Sequence, residues 1–492
     1  MDARRPGLGK GVFMARTRRA FLRKAAAGAG AAFLAPAFAA GGTALAAAAG
    51  GAGPTAANST TVLTFAPNWQ GASWNKTALT LNQEWFDTNY TPKHPGVRVL
   101  VHNGNLQGGA STEIAASLSG TGYTDVFQDC CGDLVVLYAA GVLAPLDTYL
   151  KQDNIDTSLW VKGHIDVLTF NGTLVALPAY DGPCVIFYRQ DILDSLGLPY
   201  PDPSWTIDEA TALWEKCVGK TSTGAKRNGI SVFDSWSESL NWWMQGWGAT
   251  MMDATRTHPA VDSSQAVAMA TYIQQNFANG ILAPRSGFSG PLNSGQVVFK
   301  QSGGWELLPA VETMGTKVKW DILPMPQFPK GRSTFLNIDF YGMTTATKHP
   351  NAAWELLKAV CAEPDYQRFQ MQATLVEPCL LSLWSEWEQL VTTTAPLLKS
   401  KAIHYYPDAA TGGYAWPQLF FEYQSVGADN IMSSWMGKVE GNTMAPAEAM
   451  GQMQQQLAAL ESTGATEATQ TAAAAKRFPT SGPPIAVMPT GI

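Results

Sequence analysis

Charge is scarce in this chain of 492 residues. Asp, Glu, Lys and Arg make up only 15% of it, against 46% hydrophobic residues, at a mean hydropathy of −0.06. That balance fits neither a disordered chain nor a polytopic membrane protein. Cysteine is sparse and unpatterned: Cys130 and Cys131 are adjacent, Cys184, Cys217, Cys361 and Cys379 are scattered, and no C-x-x-C occurs. Neither a zinc site nor a thioredoxin-like site is suggested. Cys361 with Cys379 is a possible disulfide, with buried free thiols as the equal alternative. The six histidines (His94, His102, His164, His258, His349, His404) stand apart without ligand spacing, and no G-x-S-x-G nucleophile elbow is present. The glycine runs lack the strand-to-helix context that cradles phosphate. No cofactor or metal is implied. What is abundant is tryptophan, 17 residues of it, in a length that suits two to three domains.

The N-terminal segment carries a strong local signal. Arg18 and Arg19, followed by Phe21 and Leu22, precede a weakly apolar Ala/Gly stretch that ends in Ala37-Phe38-Ala39. This looks like a twin-arginine (Tat) export signal over 1–39 with a small-x-small cleavage site. Gly28, Gly30 and Pro36 interrupt the stretch, which argues against a spanning helix. No cysteine follows it, so no lipid-anchor cysteine is evident, and the expected location is the periplasm or the outer face of the cell membrane. Without that segment the chain carries 25 basic against 38 acidic residues, a formal charge of −13. Nucleic acid is a poor partner for such a surface.

Residues 40–60 read as a flexible linker of Ala, Gly, Ser and Thr. Beyond it strands and helices alternate. A short run from Val62 breaks at Pro67, a helix is expected around Thr77 to Asn89, and "GVRVLVHNG" from Gly96 alternates as a strand. "TDVFQD" from Thr124 is a buried strand, followed by a helix that stops at Gly141. Thr206 with Glu209 forms a capping-box signature, and a helix after Asp262 or Ser263 stops at Gly280. Met450, Met453, Leu457 and Leu460 share one helical face, with a loosely ordered tail expected over 463–492. This rhythm predicts parallel α/β topology, in which ligands meet the carboxyl ends of strands.

Several stretches, in order, carry a resemblance. They are "TDVFQD" with "LYAAGVLAPLDTYL", "GTLVALPAYDGPCVIFYRQDILDSLGL", "PSWTIDEATAL", "GQVVFKQSGGWEL", "WDILPMPQFPKG" and "KHPNAAWELLKAV". Together they resemble the extracellular solute-binding proteins of bacterial ABC importers, in the sugar-binding branch that includes maltose-binding protein. Arg189 stands where Asn is usual, and Trp205 and Thr206 are transposed. The resemblance implies a two-lobed periplasmic-binding-protein fold (type II) whose lobes are joined by crossing strands around a ligand cleft. The crossings would fall near Ala179 to Pro183, Asn337 to Tyr341 and Glu377 to Leu381. One lobe would combine 61–180 with 340–378, the other 181–339 with 379–462. The implied function is monomeric, non-enzymatic capture of a carbohydrate and its delivery to a membrane permease. A secreted glycoside hydrolase or lyase, and a binder of a non-sugar solute, are the alternatives.

Candidate site residues follow from where a sugar would lie. A pyranose has an apolar face that lies on an indole and a rim of hydroxyls that needs fixed donors and acceptors. In the resembled family the residue after the Gly303-Gly304 turn is often an aromatic facing the cleft, which makes Trp305 the leading platform, with Glu306 as an acceptor. Asp129 ends a strand at the correct edge. Trp69 and Gln70 follow the first strand. Tyr180 and Asp181 sit on the first crossing, Asp339 and Tyr341 on the second. Trp242, beside Trp243, and Trp416, in the glycine-rich "TGGYAWP", complete the set. Ordinary packing is the competing explanation for each aromatic, and helix capping for Asp129.

Overall fold

The structure, a computed structural model, describes residues 60–67, 77–102, 110–130, 133–170, 172–232, 236–253, 258–284, 290–417 and 425–475. The expected export signal, nearly all of the linker, and the candidates Trp69 and Gln70 lie outside these residues, as does the side chain of Asp181.

The strands of the N-terminal third are β1 (Thr61–Ala66), β2 (Val97–Val101), β3 (Val126–Cys130), β4 (Thr169–Phe170), β5 (Thr173–Leu174), β6 (Leu177–Pro183) and β7 (Val185–Arg189). The middle contributes β8 (Gly219–Lys220), β9 (Lys226–Ser231), β10 (Leu282–Ala283), β11 (Val297–Ser302) and β12 (Trp320–Leu323). Then come β13 (Gln327–Phe328), β14 (Gly331–Arg332), β15 (Thr334–Met343), β16 (Glu377–Pro378) and β17 (Ala415–Pro417).

Among the described residues these strands form two principal sheets and two short hairpins. A seven-stranded sheet runs β16-β6-β15-β3-β1-β2, with β17 added along β15. A six-stranded sheet runs β10-β9-β11-β7-β12, with β8 on β9. Strands β1, β2 and β3 are parallel, as are β9, β10 and β11, and in each sheet one antiparallel strand, β15 or β7, inserts beside them. All five residues of β7, Val-Ile-Phe-Tyr-Arg, are buried, as expected for a strand covered on both faces.

Local chemistry explains the element ends. The Thr206 hydroxyl accepts the Glu209 N–H, and the Glu209 carboxylate accepts the Thr206 N–H at 2.8 Å, which closes the capping box on the Ile207–Cys217 helix. Ser263 caps Ser264–Ala278. Gly141 and Gly280, just past two helix ends, have φ of 72° and 70°, a left-handed conformation that glycine adopts without steric cost. The last helix runs from Pro446 to Ala475, and it buries Met450, Met453 and Leu457.

Two apolar cores result. One joins the seven-stranded sheet, through Leu63, Phe65 and Tyr341, to one face of the six-stranded sheet, through Val185, Phe187 and Trp320. The other lies on the opposite face, around Ile186, Trp214, Trp242, Trp243 and Phe299, and is closed by Met432, Met436 and Met450. Trp384, Trp387 and Tyr406 belong to the first core.

Candidate functional site

Three segments connect the sheets side by side. β6 leaves the seven-stranded sheet and continues, after Cys184, as β7 of the other sheet; the Cys184 N–H donates to Phe335 O at 2.8 Å. β15 pairs β6 antiparallel from Leu336↔Pro183 to Tyr341↔Leu177. β16 pairs the other edge of β6, Glu377 opposite Asp181 and Pro378 opposite Tyr180. Parallel strands of both sheets end toward this junction, which makes it the place where a ligand would meet their carboxyl ends.

The Gly303-Gly304 turn belongs to the same junction. The Trp305 indole folds back over Gly303, where a Cβ would collide with its six-membered ring, and also lies against Gly182 of β6. A Cβ on Gly304 would collide instead with the buried carboxylate of Glu377. The two glycines therefore make room on one side for an indole and on the other for a carboxylate. Trp305 is partly buried and packs against both cores at once, so one face of it bridges the two halves of the molecule.

Beside it lies a polar network. Asp339 sits opposite Cys130, the last residue of β3, and opposite Tyr180 on β6. Its carboxylate accepts a hydrogen bond from Asn337 Nδ2, and the Tyr180 and Gln128 side chains also favour its ionised form. Burial pushes the Asp339 pKa up to about 6 in spite of those partners. Asp129 is fully buried; Oδ1 accepts the Cys130 N–H at 2.8 Å, and Oδ2 has no hydrogen-bond partner within the protein among the described residues. Burial, then the Asp133 carboxylate, and then Asp339 and Glu113, push its pKa up to about 9. Among the described residues, the Asp129 carboxylate thus bonds its neighbouring amide.

Three candidates are enclosed by their packing. Tyr341 is on the same strand face as Asp339 but opposite Gln128, one repeat deeper in the sheet. It is fully buried, stacks on Phe65 at 5.4 Å between ring centroids, and shares a hydrogen bond of 3.0 Å with the Tyr366 hydroxyl. Trp242 is fully buried in the second core, stacked on Trp243 at 4.5 Å and edge-on to Phe328. Both tryptophans are inside because neighbouring elements surround the Trp236–Trp247 helix: the Ser264–Ala278 and Ser425–Glu440 helices, β15 and β17. Glu306 turns away from Trp305 and pairs with Lys300 at 3.0 Å, both side chains 1% exposed. Trp416 is half-buried on β17, opposite Phe335, and its neighbour Pro417 accepts a 2.7 Å hydrogen bond from Asn241.

Further acidic residues approach from helices. Asp133 and Glu238 lie in the first turns of Asp133–Ala139 and Trp236–Trp247. Asp429 lies on the Ser425–Glu440 helix, which packs against the Asp133–Ala139 helix. Burial, then Glu238, then Asp133 push the Asp429 pKa up to about 7. Sequence reasoning did not find these three. Asp133, four residues after Asp129, offered the only positional signal; the other two arrive through tertiary packing alone.

Residues 85–383 match the family model described as bacterial extracellular solute-binding protein. The chain belongs to that family, which sets it among solute binders rather than the glycosidases weighed as the alternative. Its structure is similar to that of an ABC substrate-binding protein from Listeria monocytogenes in complex with cycloalternan, at 16% identity and a TM-score of 0.65, covering 81% of this chain and 98% of that one. It is also similar to the cyclic alpha-maltosyl-1,6-maltose binding protein of Arthrobacter globiformis, at 17% identity and a TM-score of 0.64, with 82% and 99% covered. A third similar structure is the maltose/maltodextrin-binding domain of Bdellovibrio bacteriovorus bound to maltotriose, at 16% identity and a TM-score of 0.60, with 81% and 98% covered. The α/β periplasmic-binding-protein fold expected from the resemblance is the fold observed.

Proposed function

We propose that the protein is the substrate-binding component of an ABC importer that captures a sugar or oligosaccharide between its sheets and presents it to a membrane permease. The observation that carries this reading is the placement of Trp305, half-buried against both cores and folded over a glycine of the crossing strand β6. An indole held in that way offers an apolar face to a pyranose, while Asp129, Asp339 and Tyr180 supply oxygens for its hydroxyls. The sugars named for the similar structures support the same class. Trp416 is a second aromatic wall, and Trp69, Gln70 and Asp181 remain candidates on sequence grounds.

Closure follows from the connections. The adjacent strands β6, β15 and β16 act as the hinge, with one lobe from 61–180 and 340–378 and the other from 181–339 and 379–462. A ligand touching both halves stabilises the shut form by its differential affinity, and the shut form docks on the permease. Export by the twin-arginine route, implied by Arg18 and Arg19, delivers the folded chain to the outer face of the membrane.

Calorimetric titration of the chain from Ala40 onward against neutral mono- and oligosaccharides, with analysis of the sugar afterwards, tests the reading. Saturable one-to-one binding with the sugar unchanged is the expected result. Cleavage of the sugar would contradict it.

A further inference from the structure

We propose that Glu377 is the positioning residue of the aromatic platform: carried on the third crossing strand, its carboxylate sets where the Gly303-Gly304 turn holds Trp305. It thereby couples the hinge to the fit of the indole against a sugar. This rests on the reading of Trp305 as the platform and deepens it.

The argument begins with register. Glu377 on β16 pairs with Asp181 of β6, and the next residue of β6, Gly182, pairs with Asn337 of β15. Successive residues of a strand face opposite sides of a sheet, and directly opposed residues share a side. Glu377 therefore leaves the crossing strands on the side away from the one on which Gly182 meets the indole. A Cβ on Gly182 would stand 3.2 Å from the Trp305 ring and 3.0 Å from the Asn337 Cβ, and a Cβ on Gly304 would overlap the Glu377 carboxylate. The turn is held from both sides, by the ring of its own tryptophan on one and by a side chain of β16 on the other.

That contact crosses between the sheets. β16 belongs to the seven-stranded sheet and packs on the Pro364–Thr374 and Trp384–Thr394 helices. The turn follows β11 of the six-stranded sheet. A change in the relation of the two sheets consequently reaches the turn at Gly304.

The turn has little slack with which to absorb such a change. The Glu306 N–H donates to Gly303 O at 3.0 Å, Ser302 Oγ donates to Glu306 Oε2 at 3.3 Å, and Glu306 pairs with Lys300 at 3.0 Å. The turn of helix at Gly304–Glu306 runs directly into Leu307–Thr313. Displacement at Gly304 therefore carries Trp305 with it.

Packing alone does not account for an acid at this position. Glu377 is 0% exposed, and a carboxylate buried so deeply is far more costly than an apolar side chain of the same volume. Nor does conformation account for the glycine, since Gly304 is not among the glycines with positive φ. What Gly304 provides is the close approach of that carboxylate to the backbone.

The test uses the chain from Ala40 onward, labelled with fluorotryptophan, and the variant Glu377→Gln, which keeps the side chain's volume. Fluorine NMR of the ligand-free protein reads the platform directly, with the Trp305 resonance assigned from Trp305→Phe. The expected result is a shift of that resonance while those of Trp242 and Trp435, in the other core, stay in place. Calorimetry with maltotriose, cellobiose, mannobiose and glucose reads the fit, and the tightest of them should weaken by about tenfold or more. Glu377→Asp keeps the charge but withdraws it by one methylene, and gives the same comparison where the amide variant does not fold.

An unmoved Trp305 resonance in a folded variant would overturn the inference, even if the urea midpoint fell, because a purely structural role predicts only that fall. A moved resonance with unchanged affinity would overturn the coupling and leave the sugar reading standing. Trp305→Ala binding the same sugar as tightly as the parent, or silence from all four sugars, would overturn the platform reading and this inference with it.

Discussion

The ring of Trp305 lies 3.2 Å from where a Cβ on Gly182 would stand, so the aromatic platform and the first crossing strand are in direct contact. Movement of the hinge and placement of the indole are consequently coupled. Gly182→Ala should displace the indole by a few tenths of an ångström, whereas Gly303→Ala must expel it. We expect Gly303→Ala to shift Trp fluorescence and weaken sugar binding at least about tenfold, and Gly182→Ala to have a smaller effect of the same sign, both read by fluorescence titration.

Trp305→Ala removes the platform without touching the strand order. Its apolar burial is partial, so stability should fall modestly while sugar affinity falls by tenfold or more, about 1.4 kcal/mol or above. Unchanged affinity in a folded variant would remove Trp305 from the site.

Tyr341→Ala and Trp242→Ala should behave in the opposite way. Each empties a fully buried position, and a loss of about 3–5 kcal/mol is expected in urea unfolding. The conservative Tyr341→Phe and Trp242→Phe should bind sugar as the parent does, because each ring is enclosed by its own core.

Lys300 and Glu306 form a buried pair beneath the Gly303-Gly304 turn. Lys300→Met leaves Glu306 as an uncompensated buried charge and should cost about 3–5 kcal/mol, read by denaturant unfolding. Adding Glu306→Gln to it should recover much of that loss, since the pair as a whole gains little over a neutral replacement.

Stability should fall as pH rises. Asp129, Asp339 and Asp429 have folded pKa values of about 9, 6 and 7, above the roughly 3.9 of an unfolded aspartate. Between those limits the folded chain holds more protons than the unfolded one, so the stabilisation present below about pH 4 is lost through pH 6 to 9, at up to about 1.4 kcal/mol per pH unit for each proton involved. Thermal midpoints of the ligand-free protein measured from pH 5 to 9 should decline, and Asp129→Asn should flatten the decline at its alkaline end.

Local chemistry made much of the fold legible. The capping box at Thr206 and Glu209, the stops at Gly141 and Gly280 and the strand patterns of β2 and β3 depend on neighbours a few residues away. The Gly303-Gly304 pair also announced a close approach before Trp305, although its second occupant, the carboxylate of Glu377, lies 73 positions further on in the sequence. Depth was not legible: Asp339 and Tyr341 share a strand face, but only the register with β3 tells which is at the edge and which is under Phe65. Nor was convergence. Glu238 and Asp429 meet only because the helices that carry them pack beside one another in the second half of the fold.

The most direct measurement is a crystal structure of the protein with the tightest-binding sugar found by calorimetry. The account predicts the sugar between the two sheets, a ring face on Trp305 and its polar rim within hydrogen-bonding distance of Asp129 or Asp339. A sugar bound elsewhere, with Trp305 untouched, would contradict it.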